Sequence, residues 1–208
     1  MTVRLRASVP INLRNGVVIE DPLELALEFL DTYPSSSSYD SRPESFDEHD
    51  LRLANSGGAR IAAAEIAAIV ERRDEIERAL RRIRPVASLA DITSSIPWIP
   101  LTQLFDAFGG IRGVGFSKMT KALHPKRPGL IPMLDSVVQS YLSSEDLRAA
   151  SSASFGERAT ALVRSYKCDI DRNRSALRRL RRQLERRNHR LTEVRILDML
   201  IWSVSTGR

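Results

Sequence analysis

Apolar residues recur at helical spacing along most of this chain, and prolines and glycine pairs cut the pattern into short pieces. The longest run, 61–84, carries Ile61, Ile66, Ile69, Val70, Ile76, Leu80 and Ile83, with a break expected near Arg73-Asp74 and a stop at Pro85. Further helices are expected over 101–108, ended by Gly109-Gly110, and over 156–167, 171–188 and 191–203. Two capping signals mark starts nearer the N-terminus. Asp21-Pro22-Leu23-Glu24 opens a helix ending near Tyr33, and Ser45-Phe46-Asp47-Glu48 opens one running to about Ala54. Ser143-Ser144-Glu145-Asp146 has the look of another start, and Ser35 to Ser38 that of a polar loop. Only the first twenty residues read as strand, a β-hairpin over 3–19 turned by Asn15-Gly16. The expected fold is therefore mainly α with a short N-terminal β-hairpin. Its 208 residues suit a single domain spanning 1–208. Residues 1–100 carry the hairpin and first helices, 101–142 two helices joined by a glycine hairpin, and 143–208 the closing helices.

The formal net charge of +6 suggests a polyanionic partner or, more plainly, an arginine-rich solvated surface. Much of that charge sits at Arg172, Arg174, Arg178, Arg179, Arg181, Arg182, Arg186, Arg187 and Arg190, against Glu185 alone between them. Leu177, Leu180 and Leu184 leave this segment a narrow docking stripe. Cys168 is the only cysteine, so an intramolecular disulfide, a cysteine zinc site and a cysteine-ligated iron–sulfur cluster are excluded. Histidines stand apart at 49, 124 and 189, so neither a metal nor a cofactor is expected. The N-terminus lacks the apolar core of a signal peptide, no stretch has the length of a membrane span, and the expected location is cytoplasmic.

Ile111-Arg112-Gly113-Val114-Gly115 sits between two helical segments. Glycines there let the backbone turn sharply and bring bare N–H groups to a ligand, and the next helix starts with its positive dipole end at the same spot. Such a turn suits a phosphate of a nucleic-acid backbone. Ser117 lies in that first turn, and Lys118, Lys121, Lys126 and Arg127 would add charge beside the strand. The plainer reading is a tight interhelical turn with ordinary surface lysines.

Twenty positions after Gly115 comes Asp135, within Leu130-Ile131-Pro132-Met133-Leu134-Asp135-Ser136-Val137-Val138. Over these forty or so residues the sequence resembles the helix-hairpin-helix DNA glycosylase superfamily, of the endonuclease III and adenine-specific mismatch glycosylase types. The resemblance implies a two-lobed helical fold, with 104–142 on one wall of a cleft and 45–60 on the other. It also implies DNA as partner and a flipped base in the cleft. Asp135 would be the catalytic carboxylate, stabilising an oxocarbenium-like sugar or orienting a water; its plain alternative is an N-cap. Strand-cleaving members carry a lysine where this chain has Ser117, so the resemblance implies a monofunctional N-glycosylase without lyase activity. Ser136-Val137 replaces the family's Thr-His or Gly-Asn pair. Asn55 or Arg60 would fill the gap left by the flipped base, and Asp50 would stand near the family's base-protonating acid. Two alternatives stay open: a non-catalytic helix-hairpin-helix DNA-binding module, and a scaffold binding protein through 171–188. Lys126-Arg127-Pro128-x-Leu130-Ile131-Pro132-x-x-Asp135 and Arg195-x-x-Asp198-x-x-x-Trp202 also resemble a family of small bacterial proteins with no assigned function. The final helix is expected to be buried, with Trp202 in the core and Arg195 paired to Asp198.

Overall fold

The computed structural model describes residues 9–33, 42–142 and 153–207. Strand residues 3–8, the serine loop at 35–38 and the helix start at 143 lie outside the described residues. The chain is mainly helical with one small antiparallel hairpin, and no helix among the described residues is long and apolar enough to cross a membrane.

Strands β1 (Ile11–Asn12) and β2 (Val18–Ile19) pair Ile11 with Ile19 around the Asn15-Gly16 turn, which puts both isoleucines into the core. Asn173 seats this hairpin by bonding both the N–H and the C=O of Asn12, at 2.8 and 2.9 Å. Arg14 locks it further: its guanidinium reaches the buried carboxylate of Asp169 at 2.7 Å and the carbonyl of Ser165 at 2.6 Å.

Helix α1 (Pro22–Thr32) starts as its sequence dictates, with Asp21 accepting from the Glu24 N–H and Pro22 in the first turn. Helix α2 (Glu48–Ser56) begins two residues later than the Ser45 signal suggests. Asp47 is the cap and Asp50 the reciprocal partner, because Phe46 is drawn fully into the core and is no longer free to join the helix. The 61–84 run divides into α3 (Ala63–Val70) and α4 (Arg73–Arg81), with the break at Glu71-Arg72. Helix α5 (Trp98–Asp106) starts ahead of the expected Leu101, since Pro100 fits within a first turn that needs no N–H there. Helix α6 (Phe116–Leu123) and a 3-10 turn at His124–Lys126 lead to α7 (Ser136–Leu142).

The closing helices are α8 (Phe155–Arg172), α9 (Arg174–Glu185) and α10 (Glu193–Ser205). Helices α5 and α8 lie in close contact. A Cβ on Gly156 would overlap the Thr102 carbonyl and the Asp106 carboxylate, so only glycine admits this approach. Asp106 then accepts the Gly156 N–H at 2.6 Å. Helix α10 is buried on nearly every side and carries the core from Val194 to Ile201. Trp202, expected in the core, is half-buried at its edge, edge-on to Phe29 and Tyr33 at 5.7 and 5.3 Å between ring centroids.

Segments 45–60 and 104–142, expected as the two walls of a cleft, pack on each other at two points. Asp50 of α2 and Lys126 form a buried ion pair at 2.7 Å, and Lys121 of α6 donates to the Gly58 carbonyl at 3.2 Å, at the C-terminal end of α2. Lys126 thereby partners a carboxylate that would otherwise be buried without a counter-charge.

Candidate functional site

The turn between α5 and α6 has the expected form. Gly113 takes a left-handed φ of 85°, and Gly115 caps α6 with extended backbone and no side-chain acceptor. Nothing lies within 4 Å of the position a Cβ would take on Gly115, so the turn is open on that side. Gly113 is different. A Cβ on it would overlap Oε1 of Glu65, which leans over the turn from α3. Both oxygens of that carboxylate accept from Lys118 Nζ at 2.7 Å, and Oε2 also accepts the Ala62 N–H at 2.8 Å. Burial alone would raise the Glu65 pKa, but the bonds from Lys118 and Ala62 outweigh it and hold the group below its ordinary value. A carboxylate of the protein therefore already stands beside the turn and neutralises Lys118. Arg72 braces the other side, donating to the Gly109 carbonyl at 2.7 Å.

The expected strand-supporting cations are mostly internal ties. Arg127 has no accessible surface, and its guanidinium donates to the carbonyls of Ile83, Leu80, Pro43 and Lys126 at 2.6–2.9 Å. It caps the end of α4 from within and is a core residue, not a strand contact. Lys126 is buried on Asp50, which in turn makes Asp50 a cap and ion-pair partner. Asn55 bridges its own turn, bonding the N–H and C=O of Ile61 at 2.6 and 2.9 Å. Ser117 is half-buried, while Arg60 and Arg112 are exposed. Arg60 takes a left-handed φ of 56° on the turn that Lys121 ties to α6.

Asp135 lies elsewhere, at the start of α7. Its Oδ1 accepts the Val138 N–H at 3.0 Å, an N-cap bond, and its other oxygen accepts no hydrogen bond among the described residues. The carboxylate is half-exposed and interacts electrostatically with Arg195 and Asp198 of α10. Asp198 is buried. Its Oδ2 accepts the Met133 N–H at 3.2 Å, and its Oδ1 is buried with no partner. Burial pushes the Asp198 carboxyl up to about 7, against the opposing pull of Arg195, while the Asp135 charge adds to the rise. The expected Arg195–Asp198 contact is thus an electrostatic coupling across a short gap, without a direct bond. Arg195 lies over the Phe29 ring at 5.6 Å. His124 contacts the Ile131 carbonyl through Nδ1 at 2.7 Å, and desolvation of its ring, with Arg195 nearby, lowers it to about 4. A carbonyl only accepts, so Nδ1 carries the proton and Nε2 keeps a lone pair.

Two stretches that looked separate in sequence, 126–135 and 195–202, therefore meet at one cluster: a half-exposed carboxylate, a guanidinium, a buried carboxyl that holds a proton to near neutrality and a neutral imidazole. An open depression of about 630 Å³ borders the first turn of α7, lined by Arg14, Ser136, Val137, Ser140 and Tyr141; of the cluster, only Asp135 adjoins it in sequence. Sequence reasoning missed Asp198 and His124 as site members; the Arg195-x-x-Asp198 spacing was the one available signal. Glu65 had none, because its contact with Gly113 spans 48 positions of chain.

Residues 24–205 match DUF6308, a family of unknown function. The chain belongs to that family. Comparison with curated proteins and with solved structures returned no match. In this DUF6308 protein the matched span runs from α1 to the end of α10 and takes in both the α5–α6 turn and the Asp135 cluster.

Proposed function

We propose that this DUF6308 protein binds DNA and acts as a monofunctional N-glycosylase, with Asp135 as its key carboxylate. The observation that carries the reading is the state of Asp135. One oxygen is fixed by the cap of α7 and the other accepts no hydrogen bond among the described residues. Asp135 is half-exposed, within electrostatic range of Arg195, and next in sequence to Ser136, which lines an open depression. A carboxylate held in that way can stabilise positive charge on a sugar or orient a water toward it. Asp198, protonated near neutrality, supplies a nearby proton donor or acceptor. No lysine takes part: Ser117 stands at the position of the lyase residue, and Lys118 is committed to Glu65. The strand's phosphates would meet the N–H groups at Gly115, with Arg112 and Arg60 as exposed cations.

A second reading has its own support. The Val138 cap bond gives Asp135 a complete structural role, which suits a non-catalytic DNA-binding module. Incubation of wild type and Asp135→Asn with duplexes carrying uracil, hypoxanthine, 8-oxoguanine opposite adenine, alkylated adenine or an abasic site, followed by hot alkali, separates the two. Strand breaks with the wild type alone establish the glycosylase. Equal duplex binding by both proteins with no base released favours the module.

A further inference from the structure

Helix α9 has two flanks of different electrostatic character. On one, Arg174 pairs with Asp171, and Arg181 reaches both oxygens of Glu193 at 3.0 and 3.1 Å. On the other, Arg179, Arg182 and Arg186 follow at spacings of three and four, which places them within about 60° around the helix. All three are exposed, and none has a carboxylate or carbonyl partner among the described residues. One turn earlier the same flank carries Ser175, and Glu185, three positions after Arg182, borders the flank on the side of Arg181.

We infer that this unpaired flank of α9 is a docking surface for the phosphate backbone of duplex DNA. The claim goes beyond the hairpin and Asp135, and stands without either. Three features select the partner. All seven cations between 174 and 187 are arginine, whose planar fork matches phosphate oxygens where lysine offers only a point charge. Ala176, Leu177, Leu180 and Leu184 are spent on the core, so the helix keeps no apolar face to enter a lipid surface. The flank also has no aromatic or aliphatic anchor of the kind that centres a protein interface. From Arg179 to Arg186 the stripe is about 10 Å long at about 1.5 Å per residue, enough for about three phosphates of one strand at about 3.4 Å each.

The test is binding of a 20-base-pair duplex by fluorescence anisotropy over a range of salt, with the full chain. Arg179→Gln/Arg182→Gln/Arg186→Gln changes only exposed side chains. It is expected to weaken binding roughly tenfold or more at moderate salt, and to make the salt slope shallower by about two to three. Arg52→Gln/Arg73→Gln/Arg81→Gln removes the same charge from exposed sites on α2 and α4 and is expected to bind nearly as wild type. Equal weakening by both triples would make the effect one of net charge and overturn the surface. Wild-type affinity and slope in the α9 triple would overturn it too, as would wild-type binding to phosphatidylserine vesicles but not to the duplex. Gly115→Asp, which puts a carboxylate at the α5–α6 turn, separates the two sites. Loss of binding there with none from the α9 triple leaves the hairpin reading standing and removes this one.

Discussion

Asp198 accepts the backbone N–H of Met133 at 3.2 Å, so the buried closing helix α10 holds the loop that presents Asp135. The bond is made by a carboxyl whose pKa in the folded protein is about 7, against an ordinary 3.8. Between those values the folded state keeps a proton that the unfolded chain has released, so the contribution of Asp198 to stability is lost as pH rises toward 7. His124 acts in the opposite sense. Lowered from 6.5 to about 4, it refuses a proton that the unfolded chain takes up, and its contribution is lost as pH falls through that window. The two slopes offset each other between about pH 4 and 6.5. Asp198→Asn is expected to expose the His124 slope, so that stability relative to wild type climbs with pH by a few kcal/mol at most. Urea unfolding at four pH values reads this directly, and parallel curves for the two proteins would count against a buried neutral carboxyl.

Gly113 and Glu65 should be energetically coupled. Gly113→Ala meets both a left-handed φ, costing about 1–2 kcal/mol, and the Glu65 carboxylate. In a Glu65→Ala background the second cost disappears, so the double variant is expected to be more stable than additivity allows by about 1 kcal/mol or more. Strict additivity would mean that the carboxylate does not stand over the turn. The single change Glu65→Ala also frees Lys118, and on the proposed function it tightens duplex binding.

Arg127 should matter for folding and not for binding. Arg127→Met leaves four carbonyl acceptors short of a donor inside the protein, and a loss of about 3–5 kcal/mol is expected. Arg127→Lys rescues only part of it, because one ammonium cannot span the carbonyls of Leu80, Ile83 and Pro43. Duplex affinity of the folded fraction should stay at the wild-type value; a selective loss of affinity with stability intact would return Arg127 to the strand.

Capping and chemistry can be parted at Asp135 and at Gly115. Asparagine caps about as well as aspartate, so Asp135→Asn should change stability little while abolishing base release; Asp135→Ala should cost about 1 kcal/mol as well. At Gly115 the extended backbone suits a capping side chain, so Gly115→Asp should stabilise α6 by some tenths of a kcal/mol while weakening duplex binding. Melting temperature and anisotropy moving in opposite directions is the expected signature. A rise in both would argue that no phosphate approaches the turn.

The helices, the β-hairpin and the tight turn at Gly113 were legible along the chain, because each depends on near neighbours: Asp21 on Glu24, Asn15 on Gly16. The α2 start was misread by two residues because Phe46 is claimed by a distant partner, Phe108, at 5.9 Å between rings. Charged side chains were the least legible. Lys118, Lys121, Lys126 and Arg127 read alike in a string of residues. In the folded protein one pairs with Glu65, one caps α2, one is buried on Asp50 and one lies wholly in the core.

Periodicity, caps, turn residues and a charge of +6 are properties of short windows and sums, and the sequence by itself determined them: a mainly helical chain with a glycine turn at 113–115 and an arginine-rich helix near its end. Only the tertiary structure decided which cations are free. That outcome depends on where the carboxylates and carbonyls of other helices come to rest, since a buried or half-buried charge must find a partner and an exposed one need not. The same packing brought Asp135 to Arg195 and Asp198 across sixty positions of chain, and left Arg179, Arg182 and Arg186 exposed with no ion-pair partner among the described residues.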